Sequence, residues 1–173
     1  LYRNTLWGQR SNFIDIPTDC PQRDERLGWL GDAQVFIRTA AINYDVKRFF
    51  TKWLNDVMSE QNADGGIYGV VPKVPGRGTK ISAAWGDATV ICPWELYRAY
   101  GDKDLLARHF PMMQKWVEFI RTQGPEEYLW LGGDHYGDWL AADAELSPAV
   151  RQGATQTDLI ASAYFAYVTQ ILV

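Results

Sequence analysis

Apolar residues recur along this chain at helical rather than strand spacing. Val46, Phe49, Phe50, Trp53, Leu54, Val57 and Met58 fall at i, i+3, i+4 and i+7 positions and predict an amphipathic helix over 46–61, stopped by Asn62-Ala63-Asp64-Gly65-Gly66. Leu106, Phe110, Met113, Trp116, Val117 and Ile120 predict a second one over 105–122, with Asp102 as part of its opening turn and Gly124-Pro125 closing it. Three further segments are apolar on most sides and are expected to be buried helices: 33–42 behind an Asp32 N-cap, 88–100 behind Asp87, and 157–173 behind Thr155 or Thr157. Pro93 is expected to distort the second of these. Residues 2–12 read as the end of a helix, and 67–82 as a long loop carrying at most a short hairpin. The fold class is all-α.

The polar gaps repeat. Trp29-Leu30-Gly31-Asp32, Trp85-Gly86-Asp87 and Tyr136-Gly137-Asp138-Trp139 each lie in a loop before a buried helix, which is followed in the first two cases by a short turn and an amphipathic helix. Short turns make neighbouring helices antiparallel, so the buried helices point the same way and their leading loops share one face. Asp32, Asp87 and Asp138 are expected to converge there. Inner and outer helices alternating in this way build an α/α toroid, and these helices amount to about half of one.

Composition changes this picture in one respect. The chain carries 8 Trp, 9 Tyr and 7 Phe beside a net charge of −4, a balance that suits sugar recognition by indole faces and carboxylates better than a nucleic-acid surface. No apolar run approaches a membrane span. Cys20 and Cys92 have no metal-type spacing and read as small packing residues. No phosphate-binding glycine loop, nucleophilic Ser or Cys motif or metal-ligand spacing stands out, so no cofactor and no metal are expected. The chain starts at Leu1 and finishes within an apolar segment, which reads as a piece with both ends cut inside structure.

The stretch Asp19-Cys20-Pro21-Gln22-Arg23-Asp24-Glu25-Arg26-Leu27-Gly28-Trp29-Leu30-Gly31-Asp32 is unlike any core element. Asp19 and Pro21 discourage a strand and Gly28 and Gly31 a helix, and its carboxylates suit glycoside hydrolysis, where one acid protonates the leaving oxygen and a second carboxylate acts on water or carbon. Glu25 is the candidate acid. Asp19, Asp24 and Asp32 favour its neutral form; Arg23 and Arg26 oppose this and are expected to point away or to pair with Asp24. The plainer reading is a surface cluster of local ion pairs. Trp29, Trp85 and Trp139, placed in glycine-containing loops, are candidate sugar platforms, with core packing as the alternative. Trp53 and Trp116 lie on helices and are expected in the core. His109, among charged neighbours, is expected at the surface, and His135 is a weaker candidate for touching substrate.

Residues 19–32 resemble the signature of the α-L-rhamnosidases of glycoside hydrolase family 78. The likeness continues through Ala84-Trp85-Gly86-Asp87-Ala88 and Gly137-Asp138-Trp139-Leu140. The resemblance implies an (α/α)6 barrel that removes terminal α-L-rhamnose with inversion, from rhamnose-containing glycosides or polysaccharides. It implies Glu25 as general acid, with Asp19, Arg23, Trp29 and Asp32 in the sugar pocket. Trp85 and Trp139 match further pocket aromatics more loosely, and Asp87 and Asp138 are carried with them as substrate-binding candidates. Residues 1–173 then correspond to the N-terminal part of the barrel, partnered by its other half and by accessory β domains of the same polypeptide. The family's general base is a glutamate in the half that follows; Glu145 stands too early to match it. The piece alone is therefore expected to have little activity and to expose apolar faces. Two alternatives stand beside this one: another glycan-active α/α toroid of the unsaturated-glucuronyl hydrolase or lyase type, and a non-catalytic sugar-binding module. The compartment is left open.

Overall fold

The structure, a computed structural model, describes residues 1–139 and 153–173. Six helices account for its regular structure: α1 (Tyr2–Asn12), α2 (Leu30–Asn43), α3 (Lys47–Glu60), α4 (Ala88–Tyr100), α5 (Lys103–Arg121) and α6 (Thr157–Leu172). Among the described residues β pairing is limited to isolated bridges, Phe13 with Pro17, Trp29 with Val70 and Val74 with Arg77.

α4 is the hub, packing against α2, α3, α5 and α6. Its sequence explains this: Ala88, Val90, Ile91, Cys92 and Leu96 are buried around the helix, leaving little polar face, and α4 runs unbroken through Pro93. α3 and α5 instead bury one stripe each. Phe50, Trp53, Leu54 and Val57 face inward on α3, and Leu105, Met112, Met113, Trp116, Val117, Phe119 and Ile120 on α5. The α4–α5 link is tight because Gly101 adopts a left-handed conformation (φ 66°) after the last turn of α4, and Asp102 Oδ1 then accepts from Leu105 N at 2.9 Å to start α5. α1 is tied to α2 by polar contacts through the buried Gln9, which donates to Ala40 O and accepts from Asn43 Nδ2. Phe13, just past α1, stacks on Phe49 at 4.7 Å.

Several expectations are corrected. α2 begins at Leu30, so Asp32 lies in its first turn and makes no capping bond. Glycine at 31 does not delay the helix, because the Trp85 indole lies flat where a Cβ would project, 2.6 Å from its nearest ring atom. His109 is fully buried, not at the surface: its Nδ1 bonds the Leu105 carbonyl at 2.9 Å, and desolvation holds its pKa below the usual histidine value. Phe110 turns outward and Leu106 is only half-buried against the core, whereas Leu105 and Met112 are fully within it. α6 is preceded by Gln156 without a threonine cap. Trp53 and Trp116 are fully buried, and Cys20 and Cys92 are buried and free. Leu140 and Glu145 lie outside the described residues.

α1, α2 and α6 leave large apolar side chains exposed, among them Trp7, Val35, Ile42, Leu159 and Tyr167.

Candidate active site

The loops ahead of α2, α4 and α6 meet at one end of the bundle. The first loop is closed on itself at Asp19, whose N–H donates to Leu27 O and whose Oδ1 accepts from Leu27 N, both at 3.1 Å. Residues 20–26 are thereby held as a lobe. The second loop is zipped to the first by two backbone bonds, Leu30 N to Gly69 O and Val71 N to Gly28 O, both 2.9 Å. Gly28 is required for this approach, since a Cβ there would meet Val71 O at 2.0 Å. The third loop is laid on the second by Tyr136 N donating to Ser82 Oγ and by Ala83 N donating to His135 Nδ1, both 3.1 Å.

Between the loops lies a cavity of about 570 Å³ lined by Asp19, Arg23, Glu25, Trp29, Asp32, Trp85, Tyr136 and Trp139. Asp19 and Asp32 also border a cavity against α1, and Asp32, Trp85 and Trp139 border another, of about 400 Å³, that Asp138 lines as well. Three carboxylates and one guanidinium thus share a space with three indoles and a phenol.

The charges depart from the expectation that Arg23 points away or pairs with Asp24. Arg23 turns into the site: its Nη2 stands 2.8 Å from Glu25 Oε2 and 3.5 Å from Asp19 Oδ2, and Asp24 is left exposed to solvent. The reason is local, because the lobe closed by Asp19 and Leu27 brings residues 19, 23 and 25 to one side. Donor atoms of Asp19, Cys20 and Glu25 come within 4.8 Å of one another, but the Arg23 guanidinium already compensates the two carboxylates. Asp32 is open to the cleft, yet enough protein surrounds it to matter. Burial first, then the negative charges of Asp19 and Glu25, push its pKa up to about 6 against the pull of its own backbone N–H and of Arg23.

Asp87 is elsewhere. Its carboxylate is fully buried beneath the cleft, accepting from Ala84 N at 2.7 Å and from Trp116 Nε1 at 2.8 Å. The repeat misled here because the helices start in different registers: α2 begins two residues before its Asp and α4 one residue after. Asp87 therefore caps the turn before α4 from below, holding Ala84 in a left-handed conformation (φ 67°) immediately ahead of Trp85. Asp138 is engaged as well, its Oδ2 accepting from Thr155 N at 3.2 Å, and bonds to Thr155 hold its pKa below the usual carboxylate value. His135 is buried and bonded, with Nδ1 on Ala83 N and Nε2 against Gly132 O. Tyr136 was not among the sequence candidates, although it occupies the aromatic position of the third repeat.

With this geometry in place, comparison with known proteins is decisive. Residues 1–173 match the family described as bacterial alpha-L-rhamnosidase 6 hairpin glycosidase domain. The chain belongs to this family. It is 44% identical over 167 residues to an α-L-rhamnosidase of Streptomyces avermitilis, covering 96% of this chain and 15% of the relative. An α-L-rhamnosidase of Formosa agariphila is 42% identical, with 96% of this chain and 18% of the relative covered. Among solved structures, the Streptomyces avermitilis α-L-rhamnosidase complexed with L-rhamnose superposes with a TM-score of 0.88 at 43% identity, over 99% of this chain and 16% of that one. The native Aspergillus terreus α-L-rhamnosidase gives a TM-score of 0.88 at 39% identity, over 99% and 20%. This chain therefore spans less than a quarter of the length of these relatives. The all-α fold is that of a partial six-hairpin toroid.

Proposed function

We propose that this chain is the acid-bearing part of an inverting α-L-rhamnosidase catalytic domain, the N-terminal portion of an (α/α)6 barrel whose other half and accessory β domains belong to the same polypeptide. The observation that carries this reading is the gathering of Asp19, Arg23, Glu25, Trp29, Asp32, Trp85 and Trp139 around one cavity of about 570 Å³, in a chain similar to α-L-rhamnosidases over nearly its whole length.

Glu25 is the group that gives its proton to the glycosidic oxygen as the bond from that oxygen to the anomeric carbon breaks. A water attacks that carbon from the opposite face, losing its proton to a base carried by the portion of the barrel that follows. An inverting pair stands roughly 6.5–9.5 Å apart to admit the water. Asp19, Arg23 and Asp32 hold rhamnose hydroxyls, carboxylates accepting and guanidinium donating, and the indoles cover the apolar faces of the sugar. The substrate is a terminal α-L-rhamnoside of a glycoside or polysaccharide. Among the described residues no helix is long and apolar enough to cross a membrane.

The test is to incubate the full-length polypeptide with an aryl α-L-rhamnoside and follow the anomeric proton by NMR. Release of β-L-rhamnose ahead of the α anomer is the expected result. Release of the α anomer first contradicts inversion, and absence of hydrolysis in the presence of rhamnose binding points to a sugar-binding module instead.

A further inference from the structure

We propose that Tyr136 is a positioning residue whose ring sets the three cleft indoles, Trp29, Trp85 and Trp139, in one arrangement. The geometry stands by itself; the choice of rhamnose as a probe rests on the rhamnosidase reading above.

The Tyr136 ring lies 5.7 Å from Trp29 at 82°, 4.5 Å from Trp85 at 42° and 6.4 Å from Trp139 at 78°. These separations fall in the range where edge-to-face and tilted pairs attract. Among the described residues, each of these three tryptophans has Tyr136 as its one aromatic ring neighbour. They come from three different loops, and Tyr136 is what joins them. The tyrosine is itself fixed. Its N–H is held by Ser82 Oγ, a fully buried hydroxyl that donates to Ala83 O at 2.9 Å. Lys80 Nζ stands 5.2 Å from the ring centroid and is paired with Asp134. Gly69 leaves room for the ring edge, since a Cβ there would come to 3.3 Å from Tyr136 and 3.4 Å from Trp29. Burial pushes the Tyr136 hydroxyl up to about 12, opposed by a bond to the Lys80 backbone, so the residue stays neutral.

Without that ring, three indoles lose their common neighbour while Glu25, Arg23, Asp19 and Asp32 keep their own supports. Binding of the sugar suffers and the proton transfer is spared. The experiment compares Tyr136→Phe and Tyr136→Leu in the full-length polypeptide, with Tyr136→Met as a second ringless variant should leucine impair folding. The readouts are near-UV circular dichroism of the indoles without ligand, the affinity for L-rhamnose, and KM and kcat on an aryl α-L-rhamnoside. The ringless variants are expected to lose indole dichroism, to bind rhamnose about tenfold more weakly and to raise KM by a similar factor with kcat changed less than about threefold, a size that fits loss of two or three ring pairs. Tyr136→Phe is expected to restore all of these. A ringless variant with wild-type dichroism and affinity overturns the proposal, as does a phenylalanine variant equally impaired. Failure of the wild type to bind or cleave rhamnosides counts against the rhamnosidase reading alone, and the dichroism then decides the role of Tyr136.

Discussion

Arg23 Nη2 and Glu25 Oε2 stand 2.8 Å apart, so the side chain assigned to proton donation is held by a guanidinium that also reaches Asp19. Glu25 is a quarter exposed and Arg23 more than half, which leaves the pair free to open toward a ligand. On the proposed reading, rhamnose hydroxyls take the guanidinium and leave Glu25 free to face the leaving oxygen. Arg23→Met removes both the hydroxyl donor and this exchange. The expected result is a fall in kcat/KM of about tenfold to a hundredfold on an aryl α-L-rhamnoside, measured at steady state, with KM carrying much of the change. An unchanged KM would contradict the assignment of Arg23 to the sugar.

Asp32 supplies a pH signature. Its carboxyl titrates near pH 6, within a cleft that also holds Asp19 and Glu25. As the pH rises through that value, Asp32 changes from a hydrogen-bond donor and acceptor to an acceptor alone. Rhamnose affinity is expected to show an inflection near pH 6 in calorimetric titrations, and Asp32→Asn is expected to flatten it.

Asp87 gives a stability prediction with a definite sign. Burial raises its pKa to about 6, opposed by the bonds from Trp116 and Ala84. A carboxyl raised in the folded state contributes stability that is complete below its ordinary value of 3.8 and is lost as the pH rises through about 6. In Asp87→Asn this slope is absent, and the amide must point a donor at either Trp116 Nε1 or Ala84 N. The variant is expected to be less stable by roughly 1–3 kcal/mol. Thermal unfolding across pH should show the gap to wild type widest near pH 4 and narrower by pH 7. Asp32 adds to the wild-type slope in the same direction, so Asp87→Asn removes only part of it.

Two glycines serve as spacers for indoles. A Cβ at Gly86 would lie 2.1 Å from the Trp116 ring, and one at Gly31 would lie 2.6 Å from Trp85. Trp116 is fully buried, so Gly86→Ala has nowhere to relax and is expected to destabilise by roughly 1–3 kcal/mol in denaturant unfolding. Trp85 is buried too, but it borders the cleft. Gly31→Ala is expected to fold and to raise KM, which separates the structural spacer from the functional one.

Much of the fold was legible because α3 and α5 carry apolar stripes at helical spacing and the inner helices carry almost none of the charge. Helix starts were harder to read. Gly31 suggested a loop, and only the indole packed against it shows why the helix accepts a glycine there. His109 was misplaced because its charged neighbours Arg108 and Lys103 suggested a wet face, whereas a neutral imidazole bonded to the Leu105 carbonyl is at home in the core. In the site, the peculiar composition of residues 19–32 pointed to Asp19, Glu25, Trp29 and Asp32, and the family resemblance added Arg23; all five line the cleft. The repeat suggested the same place for Asp87, and a difference in helix register sends that carboxylate under the cleft instead. Tyr136 stood at the aromatic position of the third repeat and went unread, because its role depends on contacts between three loops that no local pattern encodes.

If Glu25 is the proton donor, the cost of removing its carboxyl depends on how much the leaving group needs a proton. Glu25→Gln in the full-length polypeptide should be assayed on an alkyl α-L-rhamnoside, whose alkoxide needs a proton to depart, and on α-L-rhamnosyl fluoride, whose fluoride does not. The expected loss in kcat/KM is about 100-fold to 10,000-fold on the alkyl glycoside and far smaller on the fluoride. Equal losses on both, or an alkyl activity near wild type, would contradict that role for Glu25.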